Sequence, residues 1–464
     1  MTYGEAIAYL ERLTNYERAR DPEAMRGVKL ERMRRLCRRL GDPQRRFRSV
    51  LVTGTNGKGS VCAMLYAMLR EAGLRVGLYT SPHLEHLRER IRVWDRGAEE
   101  PGAHGDDWIS EEEFAALVAR LRPELEAPGA GAFGEGPTYF EALTAAALLH
   151  FQARRVDVAV LEVGLGGRLD ATNVVEQSVS IIGPVGEDHT EILGMEPAAI
   201  AREKSAIIKP GQTVVSAAQA PDVREVIEAA CREQGAPLLT AGRDTTAAVL
   251  SHSLEGLECS ITGVRGVYES VKLPLLGRHQ AHNAVLAVTA LEALADTGVP
   301  YGLVEQGLAR TEWPGRLEVV HERPLVIMDG AHNPPAAEAL VETLRELCGD
   351  RRIHLLVGMS KDKSPEEFGR RVGRLAASAV CTRSRHPRAL DPVQLAGRLW
   401  PYCPDVHVMA DSVDALTYLL NVVPAQDAIV ITGSLFLVGE LRSAIRQSRF
   451  RNRRRAQPQP QATA

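Results

Sequence analysis

A chain of 464 residues is longer than one hydrophobic core usually grows, so two domains are expected. Its formal charge of -3, from 56 basic and 59 acidic residues, gives no bulk electrostatic reason to expect nucleic acid or an anionic membrane surface as the main partner. Seven scattered cysteines with no C-x-x-C pair, no basic-then-apolar leader and no uncharged apolar run of about 18 residues point to a cytoplasmic protein with reduced thiols.

Helical spacing is read over 2–12 and over 29–40, where Leu30, Met33, Leu36 and Leu40 recur on one face. RSVLVT at 48–53 reads as a buried strand, and 60–71 as a helix with Val61, Met64, Leu65, Met68 and Leu69 on one side. Gly73 stops that helix and RVGLY follows as a strand, which makes a βαβ unit with a glycine loop at its first turn. The stretches 96–107 and 127–137 are polar or glycine-punctuated loops, and 138–151 is a helix. Strands are expected at VDVAVLEVG, at 178–186 and at TVVSA, with helices at IAREKSAIIKPG and 221–234. Residues 245–276 alternate as antiparallel strands do, and 281–295 is an Ala- and Leu-rich helix. The pattern restarts near Glu312–Gly315, with strands at 325–329, 353–358, 378–382, 406–410 and 427–432. From Arg446 the chain is rich in arginine, then in Pro and Gln, and is read as a disordered tail.

The loop after the first strand, GTNGKGS, differs from the usual G-x-x-x-x-G-K-[ST], because its hydroxyl comes one residue late. Gly54, Gly57 and Gly59 nevertheless permit a tight turn, and the next helix aims its free N–H groups at whatever the loop holds. Lys58 adds a mobile cation suited to phosphates, and Ser60 a cap or magnesium ligand. Glu162, at the end of a strand, and His189, among acidic neighbours, suit a divalent cation. Lys204 does not, because an ammonium has no lone pair to donate. On the residues alone, a salt-bridging Lys204 and a capping His189 stand beside the metal reading.

TGTNGKGS, YTSPHLEHLRERIRV, VLEVGLGGRLDATNVV, DHTEILG, IAREKSAIIKPG, GRHQAHNAVLA, PGRLEVV, MDGAHNP and TGSLFLVGELR, in this order over 51–442, resemble the folylpolyglutamate synthase and dihydrofolate synthase family, ATP-dependent amide ligases of the Mur type. The resemblance implies an α/β fold, with a P-loop ATPase domain of the Mur ligase type over 1–310, a smaller Rossmann-like glutamate ligase domain over 311–445 and the tail over 446–464. It implies that Gly54, Thr55, Asn56, Gly57, Lys58, Gly59 and Ser60 embrace the ATP phosphates, and that Asn283, Arg316 and Asp329 complete the nucleotide site. Ser81, Glu162, His189 and a carbamylated Lys204 match the ligands of two magnesium ions, with potassium a further candidate cation. Carbamylation removes the objection to a lysine ligand, since it replaces the ammonium with oxygen donors. Lys58, Lys204, Arg316 and His332 take the catalytic roles; Thr80, Pro82, His83 and Asp170 take the pterin side.

The implied reaction joins L-glutamate to dihydropteroate or a reduced folate through an acyl phosphate, by a monomer. GGRLDATN resembles the bifunctional bacterial enzymes. The 96–107 loop is longer than the family's usual connection, and GPVGEDH departs from its usual pattern. Two other readings are a muramyl-peptide ligase and a non-catalytic ATP-binding protein. Only 53 residues precede Gly54, too few for a muramyl ligase's usual nucleotide-sugar domain, and the complete set of ligand-type residues argues against loss of catalysis.

Overall fold

The computed structural model describes residues 1–18, 30–95, 107–127, 136–186, 196–294 and 301–455, with the backbone alone at 301–302 and 447–455. The chain divides into two compact units, Met1–Trp313 and Pro314–Ala464.

The first unit carries β1 (Arg48–Thr53), β2 (Val76–Tyr79), β3 (Ile91–Trp94), β4 (Val158–Glu162), β5 (Val179–Ile182), β6 (Thr213–Ser216) and β7 (Leu238–Thr240) in one seven-stranded sheet. Its order is β3-β2-β4-β1-β5-β6-β7, parallel except at β3. β1 and β4 are buried along nearly their whole length, with Val50–Val52 and Val158–Leu161 as apolar runs, because both faces of such a sheet are covered. β1 lies between β4 and β5, where the chain's excursions to either side part, and an α/β sheet places its ligand outside the strand ends at such a point.

The helix Lys58–Glu71 buries Val61, Met64, Leu65, Met68 and Leu69 as its spacing predicts, but Cys62, Ala63, Tyr66 and Ala67 are buried too. The helices His279–Ala293 and Tyr301–Ala309 pack on it and cover this second face. β8 (Thr246–Ser253), β9 (Gly256–Thr262) and β10 (Val267–Leu273) form the expected antiparallel sheet, in the order β10-β9-β8.

In the second unit β11 (Glu318–Glu322), β12 (Leu325–Met328), β13 (Ile353–Val357), β14 (Ala376–Arg383), β15 (Val406–Asp411) and β16 (Ala428–Thr432) form a sheet ordered β11-β12-β16-β13-β14-β15. All neighbours are parallel except β11 with β12.

Several elements differ from the sequence reading. The helix Glu111–Glu126, opened by a capping box at Ser110 and Glu113, carries Pro123 inside it, and that proline masks the pattern. β11 and the helix Tyr301–Ala309 also lacked a clear signal. The helix from Leu435 continues to Arg455, which corrects the tail expected from Arg446; arginine is a good helix former, and charge alone did not weigh that. Residues 456–464, like most of the 96–107 loop, lie outside the described residues. All seven cysteines are buried free thiols, and no helix among the described residues is long and apolar enough to cross a membrane.

Candidate active site

The register of the first sheet builds the site. Val52 pairs with Glu162 and Thr53 with Ile182, so the carboxylate of β4 stands level with the start of the glycine loop. Gly54 has φ of 151°, and a Cβ there would meet the Gly183 Cα at 3.0 Å, so the close approach of the loop to the end of β5 requires glycine. Thr55 ties the loop to the same turn, donating its amide to the Pro184 carbonyl at 2.8 Å and its hydroxyl to Gly186 at 3.0 Å. Gly57, at φ 82°, caps the helix Lys58–Glu71. Asn283 packs on this residue, since a Cβ on Gly57 would lie 2.5 Å from the Asn283 Oδ1. The amide of Asn283 donates in turn to Gln280 at 2.9 Å. Gly59 lies against the Trp313 ring, and Ser60 is buried at the first turn of the helix.

Lys58 Nζ donates to the carbonyls of Gly54 and Thr55 at 3.0 and 3.2 Å. Lys204, only 2% exposed, donates to the same Gly54 oxygen at 2.9 Å from the helix Pro197–Ser205. Ile200 and Ile207, four residues before and three after Lys204, are buried as well, although the helix ends at Ser205 and Ile207 lies beyond it. The sequence gives no local sign that Lys204 and Lys58 share a partner, because the contact spans 150 positions.

Glu162, 6% exposed, accepts the Ser81 amide at 3.1 Å, so these two ligand candidates are neighbours. Oxygen donors of this kind suit magnesium. His189 lies outside the described residues, and among those described no cluster of three His, Cys, Asp or Glu is gathered.

Thr80 donates its amide to the Arg90 carbonyl at 3.1 Å, and Pro82 follows Ser81 through a cis bond. His83 Nδ1 accepts the Arg90 Nε–H at 2.9 Å. Burial, then the Arg90 charge, pushes the His83 imidazole down to about 3. Asp170 is turned to its own chain: it accepts the amides of Leu165 and Thr172, both at 2.9 Å, and the Thr172 hydroxyl at 2.5 Å. Burial raises its pKa, opposed by those bonds.

In the second unit Arg316, Asp329 and His332 gather beyond the end of β12. Asp329 accepts the amides of Leu317 at 3.0 Å and Ala331 at 2.8 Å; burial raises its pKa, and the Arg316 charge opposes that. Arg316 lies against Gly330, whose carbonyl is 2.7 Å from the His332 Nδ1. Sequence reasoning missed Arg90 and Glu17; the signal for them was a Glu–Arg pair split over 73 positions, which has no local pattern.

The Mur ligase middle domain family matches residues 115–291, and the Mur ligase glutamate ligase domain family residues 315–435. The dihydrofolate synthase/folylpolyglutamate synthase of Bacillus subtilis is 35% identical, over 90% of this chain and 96% of its own. The Mycobacterium tuberculosis folylpolyglutamate synthase complexed with ADP superposes with a TM-score of 0.85 at 32% identity, covering 96% of this chain and 98% of that one. E. coli FolC in complex with DHPP and ADP superposes with a TM-score of 0.82 at 30% identity, covering 97% and 99%.

Proposed function

The chain belongs to the folylpolyglutamate synthase and dihydrofolate synthase family of Mur-type ligases, and from that membership we propose how its own residues carry the reaction. It is an ATP-dependent acid–amino-acid ligase that adds glutamate to dihydropteroate or folate acids. The observation that carries the assignment of residues is the convergence of Lys58 and Lys204 on the Gly54 carbonyl, at the strand end where Glu162 accepts Ser81.

A carboxylate is a poor electrophile, and joining it to ATP brings two anions together. In the proposed course a substrate carboxylate oxygen attacks the γ-phosphorus and ADP leaves. The glutamate amine then attacks the acyl carbon, loses a proton, and phosphate departs with the C–O bond. The backbone N–H groups at the start of the helix Lys58–Glu71 and the Lys58 ammonium stabilise the transferring phosphoryl group. From the second unit, Arg316 and His332 serve as phosphate contacts and Asp329 serves the nucleotide.

Ser81, Glu162, His189 and a carbamylated Lys204 are the proposed holders of two magnesium ions, whose chemistry is charge screening of the phosphates. Burial favours the neutral amine that reacts with carbon dioxide to give that carbamate. Potassium is the remaining cation candidate. Up to Trp313 the chain serves ATP and the pterin acid, and from Pro314 it is the glutamate ligase domain. Its buried thiols suit a reducing cytoplasm, and we assign a monomer, which sedimentation would check.

We assign both synthase activities, from GGRLDATN over 166–173. The deciding experiment offers dihydropteroate and tetrahydrofolate separately with glutamate and ATP. Mass spectrometry should find one glutamate added to the first and longer chains on the second. Product from one acceptor alone removes bifunctionality. Turnover only on a muramyl peptide precursor replaces the assignment.

A further inference from the structure

The segment from Thr80 to Arg90 is closed by its own side chains. The Arg90 carbonyl accepts the Thr80 amide at 3.1 Å, and Glu89 accepts the amides of Leu84, Glu85 and His86 at 2.6–2.8 Å. Arg90 itself is 1% exposed. Its NH1 and NH2 grip Glu17 at 2.8 and 2.6 Å, and its Nε–H points at the His83 Nδ1 at 2.9 Å. The N-terminal segment that carries Glu17 is held a second time, because Tyr139 donates its amide to the Thr14 carbonyl at 3.0 Å.

A guanidinium has donors only. A ring nitrogen facing one must therefore offer its lone pair, which leaves the imidazole proton on Nε2. A fork-to-carboxylate pair buried on the arginine side is also rigid, so the ring orientation is fixed with the tautomer. Surface pairing alone needs neither the burial nor the third bond to a histidine.

We propose that Arg90 is a positioning residue of the acid-substrate site: it locks His83 as the Nε2–H tautomer and clamps Thr14–Glu17 beside it, so that the site offers the heterocyclic acid one fixed hydrogen-bond donor. The kinetic half of this proposal rests on the ligase reading above. The tautomer half does not.

The test uses the full chain labelled with nitrogen-15 in histidine, with the His83 signals identified by their loss in His83→Gln. The wild-type spectrum should show a pyridine-type Nδ1 and a pyrrole-type Nε2, and Arg90→Lys should show the two nitrogens averaging. In steady state, Arg90→Lys and Glu17→Gln should raise KM for the pterin acid about tenfold, the loss of roughly one hydrogen bond's worth, while KM for ATP moves less than about twofold. The isosteres separate positioning from packing. Gln places an amide N–H near the Nε2 position, whereas Asn supplies only an acceptor for Arg90. His83→Asn should therefore lose about tenfold more in kcat/KM for the acid than His83→Gln. Should Arg90→Lys not fold, Glu17→Gln carries the same comparison. A proton on Nδ1 in the wild type, equal KM changes for acid and ATP, or an Asn variant as good as the Gln variant each overturns the proposal. A wild-type chain inactive on every pterin and folate acid would instead overturn the ligase reading, and the nitrogen spectrum would still decide the tautomer.

Discussion

Gly57→Ala should destabilise the first unit by more than its backbone strain, and the excess can be isolated. At φ 82° an alanine costs about 1–2 kcal/mol from contact between its Cβ and the following carbonyl. The added Cβ would also lie 2.5 Å from the Asn283 Oδ1, so Asn283 must swing away and lose its 2.9 Å bond to Gln280, a further ~1 kcal/mol. Gly211→Ala is the control. Its φ is 78°, yet among the described residues nothing lies within 4 Å of the new Cβ, so it carries the strain without the clash. Stiffening of the unfolded chain is common to both variants and cancels. Urea midpoints should put Gly57→Ala about 1 kcal/mol below Gly211→Ala, and in a double-mutant cycle Asn283→Ala should recover most of that gap. Equal midpoints for the two alanines, or strict additivity with Asn283→Ala, would show that Asn283 does not confine the loop.

Lys58→Ala should keep the fold, since among the described residues its Nζ donates to the loop carbonyls of Gly54 and Thr55, and lose about a hundredfold in ligation rate, roughly 3 kcal/mol. Wild-type turnover at saturating ATP in the folded variant would remove Lys58 from the phosphate site. Lys204→Ala should lose most activity and regain part of it with a short carboxylic acid, while Lys204→Arg should not rescue, because a guanidinium cannot take the anionic role; full activity in the arginine variant would refute the carbamate. Burial, with Arg154 adding to it against Glu113, pushes His150 from 6.5 down to about 4. The unfolded chain therefore binds the proton first, and stability should fall as pH drops from 6.5 to 4, by up to about 3 kcal/mol from this residue. His150→Gln should flatten the urea midpoint over that window; an unchanged slope would mean that His150 is solvated.

Elements whose signal is local were legible. β1 centres on the β-branched and apolar run Val50–Thr53 ended by glycine, and the structure has the strand at the predicted 48–53. The helix Pro221–Gln234 opens with proline and closes on Gly235 at φ 61°, local signals that agree with the expected 221–234. What failed was of another kind. Pro123 sits inside a helix, and the arginines after Arg446 favour helix more than their charge opposes it. In the site, the loop residues were readable because their spacing is contiguous. For Asp170 the motif gave no sign of the local bonds its oxygens accept from Leu165 and Thr172. The Glu17–Arg90 pair was illegible because 73 positions separate its members, although Arg90 and His83 lie only seven apart.

Strand order also explains why the two lysines matter jointly. β4 and β5 flank β1, so segments near 54, 162 and 204 meet at one sheet end although nothing in their spacing says so. There the Gly54 carbonyl accepts from two amines at 3.0 and 2.9 Å. One neutral oxygen shared by two donors holds the Lys58 ammonium less firmly than a phosphate oxygen would, since the anion adds the direct attraction of opposite charges. Lys58 sits on a helix end, four residues from its partner, and can exchange that carbonyl for a phosphate oxygen by side-chain rotation alone. Lys204 is buried and reaches the loop from a packed helix, so it cannot follow. On the proposed reading the loop keeps its shape through Lys204, Thr55 and the close approach to Gly183 while Lys58 turns to the nucleotide, so we assign the mobile lysine to catalysis and the buried one to holding the loop and, as its carbamate, to the metal.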